Sequence, residues 1–135
     1  MDQLIADQAG KRQVPYYLSN AAALVEIHLW EKNAEAAWEA ASRGTISDNL
    51  WLRLAAARED DHPGDAVPIY RRLIETAVEQ TNNTAYEEAI KMVKRLKPLL
   101  VRLDNPEDFR LYITLLRAKY KAKRNFIKLL DKLQT

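Results

Sequence analysis

Residues 48–96 read DNLWLRLAAAREDDHPGDAVPIYRRLIETAVEQTNNTAYEEAIKMVKRL. Three helical periodicities are separated by two punctuated turns. Leu50, Trp51, Leu54 and Ala55 make the first apolar face, which the run from Asp60 to Gly64 stops. Val67, Ile69, Tyr70, Leu73, Ile74, Ala77 and Val78 make the second, and Thr81-Asn82-Asn83-Thr84 stops that one. Tyr86, Ala89, Ile90, Val93 and Leu96 then recur at three- and four-residue spacing in the third. No helix of this trio can bury its apolar face alone, so each must stack on a neighbour, as in helical repeats.

Upstream, residues 1–14 form a polar lead-in. Pro15 suits a first helical position, and Tyr17, Ala21, Leu24, Val25 and Leu29 line one face of a helix ending near Lys32. Asn33 caps a short alanine-rich helix, Ala34 to Arg43, from which Gly44 offers a left-handed exit. Ser47 or Asp48 caps the next. A fourth helix opens at Asp65 with Pro68 in its first turn, and Thr84 with Glu87 has capping-box spacing for a fifth. Pro98 should kink that fifth helix. A sixth spans Pro106 to Lys121 with Phe109, Tyr112, Ile113, Leu116 and Tyr120 inward, and a last runs from Lys123 to Leu133. Connections this short favour antiparallel neighbours. The expected fold is all-α: a short, irregular, tetratricopeptide-like α-solenoid of about seven helices, one domain over residues 15–135. Trp51, Tyr70, Ile90, Leu116 and Leu130 are expected in the core, with Trp30 and Trp38 between helices.

The chain has 135 residues, 47% apolar and 30% charged, and no cysteine. That composition suits one globular domain and removes disulfides, thiolate nucleophiles and cysteine-held zinc. The amino terminus lacks the pattern of a signal peptide, and no apolar run reaches the roughly 18 residues of a membrane span. A cytoplasmic protein is expected. Charge is unevenly placed. Residues 1–90 carry 8 Lys/Arg against 15 Asp/Glu, and residues 91–135 carry 13 against 4. Such a split gives the field a direction, which bears on partners more than on fold.

No constellation meets the requirements of catalysis. Asp60, Asp61 and His62 are adjacent and read as a solvated turn; Glu26 and His28 are two apart on a helix and point away from each other. We expect no enzyme, no cofactor, no metal and no small-molecule substrate. The basic residues stand out instead. Lys91, Lys94, Arg95 and Arg102 fall near one side of the fifth helix. Lys121, Lys123, Arg124, Lys128 and Lys132 run along the carboxyl-terminal segment opposite its apolar face. They form either an ordinary solvated face or a contact for a protein partner, another domain of the parent chain or, weakly and without sequence preference, nucleic acid.

Five strings, AAWEAASRG (36–44), LWLRLA (50–55), PGDAVPIYRRL (63–73), AYEEAI (85–90) and KAKRNFIKLL (121–130), occur in this order. The chain from about Tyr16 to Leu133 thereby resembles the carboxyl-terminal helical region of bacterial SWIM zinc-finger proteins. The zinc-binding element of that family lies upstream and needs cysteines this chain lacks. The resemblance therefore implies a helical fold and an interaction role within a longer protein, with no zinc chemistry here.

Overall fold

The structure is a computed structural model that describes residues 14–133, with side chains from residue 21 onward. The lead-in lies outside it but for Val14, as does the side chain of Tyr17. The described residues form seven α-helices and no strand: α1 (Val14–Trp30), α2 (Ala34–Ser42), α3 (Asp48–Arg58), α4 (Pro63–Val78), α5 (Asn83–Arg102), α6 (Glu107–Lys119) and α7 (Arg124–Asp131). They group into two compact units that part between Arg58 and Glu59. Where the sequence suggested one domain, α3 belongs with α1 and α2, and α4 to α7 make the second unit.

In the first unit, Ala37, Ala40, Ala41 and Ala55 are buried beside Val25, Leu50 and Leu54. Their small side chains let backbones approach closely. Trp38 and Trp51 meet edge to face, with centroids 6.1 Å apart, and only partly bury. Trp51 is thus less enclosed than expected, because Leu50 and Leu54 take the inner face of α3. Trp30 departs further: it is 84% exposed, since Ala21 and Val25 point the opposite side of α1 into the core. Arg58 is buried instead, its guanidinium 4.7 Å from the Trp38 ring centre and 2.9 Å from Glu35.

In the second unit α4 and α5 pack along each other, and α6 and α7 pack on α5. Tyr70, Leu96, Leu116, Phe126 and Leu130 are enclosed, and Ile90 is buried with them. Phe126 brings Tyr86 and Tyr120 together, at 5.9 and 6.2 Å between ring centres.

The helix ends explain several departures from the sequence reading. Asn33 and Ser47 accept from the amides of Ala36 and Leu50, each at 3.1 Å. Gly44, however, has no positive φ. The end of α2 tightens into bonds from the Arg43 and Gly44 amides to the Ala40 and Ala41 carbonyls, so no left-handed residue is needed. The left-handed positions are Lys32, Thr81 and Asp104, with φ of 60°, 57° and 61°. An asparagine follows each. After Lys32 and Asp104 the asparagine amide reaches back to His28 and Leu100 carbonyls at 2.8 Å, closing a Schellman turn. Asn82 caps α5 by accepting from the Ala85 amide at 2.8 Å, which displaces the expected Thr84 box. Helix α4 begins at Pro63, two residues early, so Pro68 lies beyond the first turn and leaves the exposed Gly64 without an amide donor to its carbonyl. Helix α5 continues through the exposed Pro98.

Candidate interaction surface

Helix α4 and its C-cap carry Arg71, Glu75 and Glu79 at four-residue spacing, and that row meets α6 and its C-cap Tyr120. Arg71 pairs with Asp108 and lies 4.9 Å from the Tyr112 ring centre. Tyr112 donates its hydroxyl proton to Glu75 at 3.2 Å, and Lys119 donates to the same carboxylate at 2.7 Å. Tyr120 donates to Glu79 at 2.8 Å. The theme recurs where Tyr70 donates to Glu59, whose carboxylate also takes a 2.7 Å bond from Arg95 Nε. Three tyrosine hydroxyls thus each serve a glutamate, joining segments far apart in the chain.

Burial, helped by the neighbouring carboxylate, raises all three phenols. Tyr120 is pushed up to about 12, and Tyr70 and Tyr112 are also well above an ordinary tyrosine. Glu59 in turn raises Arg95, and Glu75 raises Lys119. Such groups stay protonated at neutral pH. They brace helices and offer no base or nucleophile.

This network divides the predicted cations by role. Arg95 is held by Glu59 and Tyr70, and Arg102 donates to the Glu59 and Asp60 carbonyls at 2.6 and 2.5 Å. Both are exposed but engaged within the unit, so they do not stand with the unpartnered cations. Lys123 donates to Thr81 at 2.8 Å, and Lys91 makes an exposed pair with Glu88 at 3.4 Å. Lys94, Lys121, Arg124, Lys128 and Lys132 are exposed and have no ion-pair partner among the described residues. Arg124, Lys128 and Lys132 recur every four residues along α7 and its C-cap, opposite the buried Phe126 and Leu130. Their charges add toward solvent.

Sequence reading missed a second feature. Helix α6 is apolar on two sides. Opposite its buried face, Leu111 and Leu115 are 65% and 49% exposed, and Ala118 continues their row. A spacing of four and three residues was the available signal, eclipsed by the stronger row that forms the core. Helix α1 has a comparable outer row in Leu24, Ile27 and Trp30.

Among the described residues no group of three or more His, Cys, Asp or Glu is placed to hold a metal ion, and no helix is long and apolar enough to cross a membrane. His28 lies 3.4 Å from Glu31, and Glu26 faces Arg53 at 3.4 Å, so the two do not act together.

These features define an all-α protein whose buried polar groups are committed to structure and whose outer faces carry unpaired charge and exposed apolar rows. No family profile matches the chain, and no solved structure matches it. It is similar to the uncharacterized protein YwqB of Bacillus subtilis (strain 168), 28% identical over 128 residues. That alignment takes in 91% of this chain and 23% of YwqB. The chain therefore spans less than a quarter of that relative's length.

Proposed function

We propose that this chain is a non-catalytic, tetratricopeptide-like helical-repeat module of the cytoplasm that binds a protein partner or another domain of a larger SWIM-type protein. The observation that carries the reading is the outward face of α7, where Arg124, Lys128 and Lys132 stand unpaired while most cations elsewhere in the unit are engaged. Similarity to a part of a much longer protein supports a role as one segment of an assembly. Fold alone does not name a function, so the charged face and not the helices bears the argument.

Lysine and arginine side chains on one solvated face also favour a second reading, an accessory domain that holds phosphate backbones without reading sequence. One experiment separates the two. The full chain and a Lys128→Glu, Lys132→Glu variant are immobilised and challenged with cell extract and with random duplex DNA over a range of salt. The module reading expects specific proteins to be retained by the parent and lost from the variant. The accessory-domain reading expects duplex binding with a log–log salt slope of about −0.9 per phosphate contact. Identical retention and identical salt response in both chains would refute a role for this face.

A further inference from the structure

We draw no further inference here: the strongest candidate, the outward cationic row of Arg124, Lys128 and Lys132 along α7 and its C-cap, belongs to the interaction surface already described, and nothing in the structure shows what covers the outer apolar rows of α1 and α6.

Discussion

Among the described residues the first unit buries no aromatic ring and the second buries six. Between α1, α2 and α3 half of the buried cluster is alanine, Ala21, Ala37, Ala40 and Ala41 beside Val25, Ile46, Leu50 and Leu54, with Trp38 and Trp51 at its edge. Between α4 and α7 it includes six aromatic rings among many aliphatic side chains, Tyr70, Tyr86, Tyr112, Tyr120, Phe109 and Phe126, and three of the tyrosine hydroxyls are tied to glutamates. Small side chains bring helices close but give little to lock their register. Rings fill more volume, and a phenol with a partnered hydroxyl also fixes which residues must meet. The two halves solve the same packing problem by proximity in one case and by specific polar pairing in the other.

The contrast can be broken most severely at Phe126. Phe126→Ala removes an enclosed ring from between Tyr86 and Tyr120 and should destabilise the second unit by about 3–5 kcal/mol, read as a shift in denaturant midpoint. A shift below about 1 kcal/mol would mean that the aromatic cluster is not what holds α7. The mirror experiment enlarges an alanine. Ala37→Leu should destabilise the first unit by roughly 1–3 kcal/mol through overpacking, followed by the fluorescence of Trp38 and Trp51. A neutral result there would deny the close approach of the helices.

The polar seam is tested more gently. Tyr112→Phe keeps the ring and deletes the hydroxyl that serves Glu75, for a loss of roughly 0.5–1.5 kcal/mol. Alkali should find the same weakness. A phenol raised by folding stabilises the protein fully below its unfolded value near 10, and that contribution is lost as pH climbs through the folded value. Tyr120, at about 12, sets the window. Tyrosinate absorbance should therefore lag behind that of free tyrosine between about pH 10 and 12, and stability of the second unit should fall across the same range. Early, simultaneous ionisation of all tyrosines would contradict the seam. Smallest of all, Trp30→Ala should leave stability within about 0.5 kcal/mol, because the ring contributes little to the core.

Much of this architecture was legible in the sequence, for identifiable reasons. Periodicity located all seven helices, and it chose Tyr70, Ile90, Leu116 and Leu130 correctly because each lies at the middle of its apolar row. Asn33 and Ser47 announced themselves as caps through a local rule. The misses arose where two local rules competed or where the cause was distant. The left-handed exit expected at Gly44 did not form, whereas Lys32, Thr81 and Asp104, each followed by an asparagine, took left-handed turns at short junctions. Trp30 misled because hydrophobic identity does not say which way a helix is rotated. The pairing of Arg95 with Glu59, 36 positions apart, leaves no trace in spacing. Of the candidate surface, the α7 row was readable from its four-residue period. The outer apolar row of α6 was not weighed, because a helix was assumed to have one apolar face.

Arg58 and Glu59 are consecutive, opposite in charge and turned to different tasks. Arg58 reaches back to Glu35 and Trp38, and Glu59 reaches forward to Tyr70 and Arg95. The peptide bond between them is consequently a natural point of recombination. A gene rearranged there would keep each of these contacts on one side of the join, whereas a break only four residues later, at Pro63, would separate Arg95 and Arg102 from the groups that receive their hydrogen bonds.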